Sequence, residues 1–168
     1  MTISNPDDRV EPATLADVDA LVDRWVELAR DQRAYDSHLA AAANRTPVRQ
    51  TIARHVVVDG VRVVRDDGDE VVGFVVFGLE QGDYEQTIAR GVVHNLFVAP
   101  EARGQGVGSA LLGSAEDALA RAGADVVALE AMAANEGARR FYERHGYRLH
   151  RVELEKPTRS DTHSKEDG

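Results

Sequence analysis

The sequence predicts a mixed α/β fold in which an antiparallel group of strands precedes a β-α-β crossover. Two β-branched runs flank the Asp-Asp-Gly-Asp turn at 66–69, a pattern typical of a β-hairpin. A third apolar run at 92–98 is followed by three glycines in five residues and then by apolar residues at helical spacing. Another strand, a helix and an alternating run come after it. We therefore expect a mixed, mostly antiparallel sheet of about six strands with helices on both faces.

Length and composition indicate one globular domain. The chain has 168 residues, of which 43% are apolar and 29% charged, and this length suits one hydrophobic core. No apolar run reaches the length of a membrane span, and the first ten residues lack the basic and apolar blocks of a secretion signal. We therefore expect a cytoplasmic protein that makes no membrane contact.

The charge and the rare residue types exclude several kinds of site. A net charge of −9 argues against a nucleic-acid surface, which needs clustered positive charge. The chain has no cysteine, which excludes a thiolate nucleophile, and its six histidines show no paired metal-ligand spacing. Lysine occurs only at Lys156 and Lys165. This acidic, lysine-poor composition resembles that of halophilic archaeal proteins, since net charge reflects solvent conditions rather than fold. The alternative is an ordinary acidic protein.

The N-terminal half is predicted to hold one strand, two helices and the hairpin. Residues 1–8 are polar and are expected to be flexible. Thr14 and Asp17 form a capping-box-like pair, and apolar residues recur at helical spacing after it. Pro47 is suited to the first turn of a second helix. The expected elements are a strand near Val10, a helix at 14–33, a helix at 47–57 and the two hairpin strands.

The C-terminal half is predicted to hold the crossover and a last strand. Gly123 ends the helix that follows the glycine cluster, and Gly146 ends the next helix, which Asn135 caps. From Pro157 the chain has almost no apolar residue and is expected to be a disordered acidic tail. The expected elements are a helix at 106–122, a strand at 125–133, a helix at 135–146 and a strand at 147–155. The folded domain is thus expected to span 9–156, before the tail at 157–168.

Gly104, Gly106 and Gly108 stand where a helix is about to begin, although glycine is unfavourable in helices and strands. The free N–H groups and partial positive charge of a helix N-terminus attract phosphate, and glycines let it approach the main chain. Arg103 adds a positive charge directly before them. The segment is therefore interpreted as a phosphate cradle. The alternatives are a tight turn without a ligand and a dinucleotide loop that ends at Ser109.

The same segment resembles the coenzyme A loop of the GNAT acetyltransferase superfamily. Arg103-Gly104-Gln105-Gly106-Val107-Gly108 has the R/Q-x-x-G-x-G/A pattern and follows a strand that ends in Leu96-Phe97-Val98. Similar features follow downstream, with Leu-Glu at 129–130, Asn135 and the run FYERHGY at 141–147. The order of elements is similar from about Val10 to Glu155, and the motifs lie between Val92 and Tyr147.

The resemblance implies the GNAT fold and acetyl-CoA as co-substrate, with no metal. In this family two strands start side by side and splay apart, here VVHNLFV and DVVALEA, and the pantetheine arm pairs with the exposed main chain. Phe97 and Val98 would offer those main-chain groups, while their side chains pack in the core. Asn135 would cap its helix and also bond the cofactor arm. The implied acetyl-CoA-binding residues are Leu96, Phe97, Val98, Arg103, Gly104, Gln105, Gly106, Val107, Gly108, Ser109, Asn135 and Tyr142.

The resemblance also implies an N-acetyltransferase in which the amine attacks the thioester directly within a ternary complex. Tyr142 would be the general acid that protonates the departing thiolate. Two residues compete for the role of base. Burial at a strand end is expected to raise the pKa of Glu130, whereas His94 is expected to share a strand face with Leu96 and Val98. The amide of Val98 would donate to the thioester carbonyl.

The implied acceptor is a primary amine of a small molecule or of a peptide or protein N-terminus. In this fold the first two helices and the loop between the third and fourth strands contact the acceptor, here at about 28–45 and 80–91. Two alternatives from other classes are a non-catalytic acyl-CoA-binding or sensing module on the same fold and an NAD-binding half-domain. A homodimer is left open.

Overall fold

The fold is that of a computed structural model, which describes residues 3–159. The chain divides into two compact units, Met1–Asn135 and Glu136–Gly168. Residues 160–168, the larger part of the predicted tail, lie outside the described residues. In the segment 1–8, which was expected to be flexible, Pro6–Arg9 forms one helical turn and the side chain of Ile3 is buried.

The first unit is built on a five-stranded sheet with the strands in sequential order. The first four strands are antiparallel and the fifth runs parallel to the fourth, which confirms the predicted mixed sheet with a crossover. The hairpin turn lies between the second and third strands, where the sequence predicts it. The strands are β1 (Val10–Pro12), β2 (Val61–Arg65), β3 (Val71–Leu79), β4 (Arg90–Val98) and β5 (Val126–Leu129).

The helices begin and end close to the predicted positions. A capping box joins Thr14 and Asp17 before the first long helix, whose buried stripe includes Leu21 and Val26. Among residues 3–159, no helix is both long and apolar enough to cross a membrane. The helices are α1 (Pro6–Arg9), α2 (Val18–Arg33), α3 (Arg45–Val57) and α4 (Val107–Arg121) in the first unit and α5 (Glu136–Arg144) in the second.

Helices α3 and α4 lie on opposite faces of the sheet. A Cβ atom at Gly73 would come within 2.9 Å of Val107 in α4, so that face of β3 packs directly on α4. A Cβ at Gly78 would instead meet the ring of His55 in α3. Side chains alternate between the two faces along β3, so Gly73 marks the face that packs on α4 and Gly78 marks the opposite face, which packs on α3.

A β-bulge in β4 changes which residues face each helix layer. Val76 pairs with Asn95, but Phe77 pairs with Val93, so His94 has no partner on β3. The extra residue shifts the alternation of side chains by one position. Beyond the bulge, Leu96 and Val98 therefore share the face of Gly73 and α4.

Two predictions for the C-terminal part are wrong. The strand expected at 125–133 is shorter and ends at Leu129. No sixth strand is present at 147–155 among the described residues, and the sheet has five strands. Leu149, Val152 and Leu154 are exposed on this segment. The alternation of apolar and polar residues is a local pattern, whereas a strand also requires a partner for its main-chain groups.

Candidate active site

The glycine loop gives α4 an open N-terminus. Gly106 is the N-cap and adopts the left-handed conformation with φ of 84°, and Gly104 is left-handed as well with φ of 76°. Only glycine adopts this conformation routinely. Helix geometry leaves the N–H groups of Val107 and Gly108 without an acceptor inside α4. Because Gly104 and Gly106 are exposed, an anion from solvent can reach these main-chain groups and the positive end of the helix dipole.

Arg103 connects this loop with the end of β4. Its Nε donates a hydrogen bond of 3.0 Å to the carbonyl oxygen of Val98. Its Nη2 lies 3.5 Å from the Asp31 carboxylate of α2, and both side chains are about half exposed. An exposed ion pair of this kind contributes little stability, so the guanidinium can exchange Asp31 for a phosphate at small cost.

Beyond Val93, one edge of β4 is open. The parallel pairing with β5 ends at Val93 and Leu129, whereas β4 continues to Val98. On the other edge, the amide of Ala99 donates to the Val72 carbonyl, which directs the main chain of Phe97 toward β3. By the same alternation, the N–H groups of Leu96 and Val98 point to the open edge.

The orientation of β4 contradicts the expected role of the Phe97 main chain and agrees with the expected packing of its side chain. The main-chain groups of Phe97 face β3, so they are not offered at the open edge as predicted. Its side chain is buried and lies 5.9 Å from the ring of Phe74, between ring centroids, which agrees with a packing role. Leu96 and Val98 carry the polar groups at the open edge, because alternate residues of a strand point to opposite neighbours.

The N-terminal segment lies beside the glycine loop. The amide of Ile3 donates to Oε1 of Gln105 at 2.6 Å, and Ile3 is only 6% exposed. A Cβ at Gly106 would lie 3.7 Å from Pro6. Residues 3–6 thus form one wall of the loop, which no local pattern indicates because 102 positions separate Ile3 and Gln105.

His94 contacts a second histidine on the α3 face. The ring centroids of His94 and His55 are 5.2 Å apart in an edge-on arrangement. Burial, followed by the charge of His55, lowers the pKa of His94. The expectation that His94 shares a face with Leu96 and Val98 is wrong, because the bulge at His94 shifts the alternation.

Glu130 follows the end of β5 rather than lying within it. The strand ends at Leu129, and the side chain of Glu130 is exposed. The expectation that Glu130 is buried at a strand end is therefore wrong, and with it the burial argument for a raised pKa. The sequence signal was an acid after an apolar run, but β5 is a half-exposed strand at the edge of the sheet.

The two remaining candidates lie around α5. Asn135 immediately precedes α5, and its main-chain N–H donates to the Met132 carbonyl oxygen. In the second unit, the ring of Tyr142 packs edge-on against Phe141 and Tyr147, with centroids 5.3 and 5.8 Å away. Burial raises the pKa of Tyr142 above its ordinary value, so its hydroxyl is protonated at neutral pH.

Sequence reasoning missed His55 and Ile3. In the sequence, His55 is one of six histidines without metal-ligand spacing, and its contact with His94 arises only when α3 packs on the sheet. Among residues 3–159, no group of three or more histidine, aspartate or glutamate side chains is arranged to hold a metal ion. In the first unit the candidate site therefore consists of main-chain donors, Arg103 and a histidine pair, and the second unit contributes Tyr142 as a separate candidate.

Comparison with known proteins identifies sequence relatives. The sequence model described as "Acetyltransferase (GNAT) family" matches residues 20–147. N-alpha-acetyltransferase 30 of Schizosaccharomyces pombe is 35% identical over 92 residues, which cover 52% of this chain and 60% of that protein. An uncharacterized N-acetyltransferase of Archaeoglobus fulgidus is 38% identical over 84 residues, or 50% and 56% of the two chains. The matches thus span less than two thirds of either relative.

The fold is also similar to solved structures. A crystal structure of a mutant protein from Bacillus halodurans superimposes with a TM-score of 0.77. The alignment covers 88% of this chain and 98% of the other at 18% identity. At this level of identity the likeness concerns the fold alone.

Proposed function

Because the chain belongs to the GNAT family of acetyltransferases, we propose that it transfers the acetyl group of acetyl-CoA to a primary amine by direct attack within a ternary complex. One observation carries the proposal: the open edge of β4 lies directly before the glycine loop at the N-terminus of α4. A strand-like polar arm followed by a diphosphate matches this sequence of main-chain donors.

The residues present suit acetyl-CoA. The N–H of Leu96 would bond the pantetheine arm at the open edge of β4, the N–H of Val98 on the same edge would face the thioester, and the amides from Arg103 to Ser109 would hold the diphosphate. Arg103 adds a positive charge, which is held by a hydrogen bond to the Val98 carbonyl and by an exposed ion pair with Asp31. Asn135 remains a proposed contact for the cofactor arm. Bound acetyl-CoA supplies an activated acyl group, and the chain itself has no cysteine to take it up.

The protein's own groups then act on protons and charge. An acceptor amine is mostly protonated at neutral pH and must become neutral before it attacks. His94 is the stronger candidate for the base, since its lowered pKa keeps the imidazole neutral. Glu130 remains the second candidate. Tyr142, protonated because burial raises its pKa, would donate a proton to the thiolate, and the Val98 amide would stabilise charge on the thioester oxygen.

An acceptor screen tests the function. Purified protein with acetyl-CoA would be supplied with polyamines, amino sugars and peptides with a free N-terminus, and thiol release would be followed at low and at multimolar salt. The peptides are included because one sequence relative is an N-alpha-acetyltransferase by name. We expect amine-dependent thiol release. Tight acetyl-CoA binding without turnover of any amine would instead support a non-catalytic acyl-CoA-binding module.

The glycine loop offers a direct binding test. We expect Gly106→Val to reduce acetyl-CoA affinity at least about tenfold, because a branched side chain would intrude on the main-chain donors and strain a left-handed residue. Gly123→Val is the matched control. Gly123 follows the other end of α4, has φ of 102°, and a Cβ there meets no atom within 4 Å.

Calorimetry and thermal melting separate the two effects. Both variants should lose thermal stability because both strain a left-handed position, but only Gly106→Val should lose affinity. Equal affinity in the two variants would contradict a diphosphate site at this loop.

A further inference from the structure

The contact between His55 and His94 is built into the packing of α3 on the sheet. His55 lies near the end of α3, with its ring edge-on to that of His94 on β4. Two glycines lie beside this ring, and a side chain at either position would be in ordinary van der Waals contact with it. A Cβ at Gly60 would lie 3.5 Å from Cδ2 of the His55 ring, and a Cβ at Gly78 would lie 4.0 Å away.

The orientation of the His55 ring is fixed by a hydrogen bond. Nδ1 lies 2.9 Å from the carbonyl oxygen of Thr51, one helical turn earlier. A carbonyl only accepts, so Nδ1 of His55 carries the proton and donates it. In the neutral ring, the other nitrogen, Nε2, is then the hydrogen-bond acceptor. This is the arrangement by which a hydrogen bond to one ring nitrogen sets the tautomer of a histidine.

Within residues 91–98, the part of β4 that pairs with β3, His94 is the one position without a partner. Bulges are frequent next to active sites, where they re-aim a side chain. Here the bulge directs the imidazole to the face of α3, and the ring stays partly exposed. A small amine can therefore reach His94 from solvent, while His55 contacts it from the protein side.

Few charged groups surround His94 among the described residues. The β3 residues on either side of the bulge are Val76 and Phe77, which are apolar. Arg62 of β2 lies over the Phe77 ring, but it is paired with Asp59. Among the described residues, His55 is the charged group that lowers the pKa of His94 beyond the effect of burial.

We propose that His55 is a positioning residue for His94, holding its imidazole on the α3 face so that His94 takes the proton of the acceptor amine. The inference rests on the proposed function, of which it specifies the base. In the step, an N–H bond of the ammonium group breaks, the proton bonds to the free nitrogen of His94, and it later passes from the partly exposed ring to water. The neutral amine keeps the electron pair with which it attacks the thioester.

The test compares three variants of the whole protein. His55→Gln removes the imidazole ring. His55→Asn keeps a side-chain amide that can donate to the Thr51 carbonyl but also lacks the ring. Arg54→Gln is the control, because it removes a neighbouring positive charge on the same helix, where the Arg54 side chain is exposed and contacts Thr51 Oγ1. The readouts are the pH profile of kcat/KM and an NMR titration of the His94 imidazole without substrates.

We expect both His55 variants to raise the midpoint of the rising acidic limb and the titration midpoint of His94, since the ring both shields His94 and repels its proton. Their plateau kcat/KM should fall about tenfold through lost orientation, and Arg54→Gln should match the wild type. A wild-type profile in His55→Asn would overturn the proposal, because it would reduce His55 to a partner of the Thr51 carbonyl. An unchanged NMR midpoint in His55→Gln would overturn it as well.

The two readouts separate this inference from the proposed function. The NMR titration needs neither acetyl-CoA nor an acceptor. If the His94 midpoint shifts in the His55 variants but the wild-type protein acetylates no amine, the result contradicts the proposed function and leaves the effect of His55 on His94 standing. Amine acetylation with an unshifted acidic limb in His55→Gln would contradict the positioning role and leave the function standing.

Discussion

Replacing Tyr142 by phenylalanine is expected to lower kcat about a hundredfold or more while acetyl-CoA affinity changes little. The phenylalanine ring fills the same space beside Phe141 and Tyr147, so packing is conserved. Only the hydroxyl is lost, and with it the proposed proton donor to the departing thiolate. Because that interaction is made mainly in the transition state, kcat and kcat/KM should fall together.

Tyr147→Phe is the matched control for this experiment. It removes a hydroxyl from the neighbouring ring of the same aromatic group and should leave turnover close to that of the wild type. An acyl donor whose thiol has a lower pKa should partly restore Tyr142→Phe, since its thiolate needs less help to leave. Near-normal turnover in Tyr142→Phe, with chemistry shown to be rate-limiting, would contradict the general-acid role. Tyr142 would then serve only in packing.

The second large effect is expected at the base. His94→Gln should lower kcat/KM by about a hundredfold or more, within the usual range for loss of a general base. The activity of the wild type should rise with pH through the pKa of His94. Since burial and His55 hold that pKa below the ordinary histidine value of about 6.5, this rise should lie on the acidic side of neutrality. The variant should lose it.

Glu130→Gln separates the two candidate bases. Glu130 is exposed beyond the end of β5, so its loss should cost far less activity than that of His94. Both variants should bind acetyl-CoA as the wild type does, which calorimetry would verify. A large loss in Glu130→Gln with normal activity in His94→Gln would assign the base to Glu130, and if neither falls tenfold, the proton leaves through water.

The element order and the glycine loop could be read from the sequence because their causes are local. A β-branched run, a capping pair such as Thr14 and Asp17 and a stop at Gly123 act within a few residues of the chain. The left-handed backbone at Gly104 and Gly106 is likewise a property that only glycine adopts at low cost. The mixed sheet and the start of α4 were predicted for these reasons.

The same local reasoning failed where pairing between distant segments decides the outcome. The run at 147–155 alternates as a strand should, yet its main-chain groups join no strand among the described residues. Glu130 follows an apolar run, but the sheet ends at β5, so the residue is exposed. Burial and pairing belong to partners that the local pattern does not name.

The sequence by itself determined the family, through a glycine loop whose conformation and charge are set by neighbouring residues. Only the tertiary structure decided which side chains serve it. One unpaired residue in β4 shifted the alternation of side chains by one position and brought His94 to His55. Pairing with β3 left the N–H groups of Leu96 and Val98, rather than that of Phe97, at the open edge. The physical reason is that strand alternation has a period of two, so a single inserted position, fixed by pairing with β3, changes the surroundings of every later side chain.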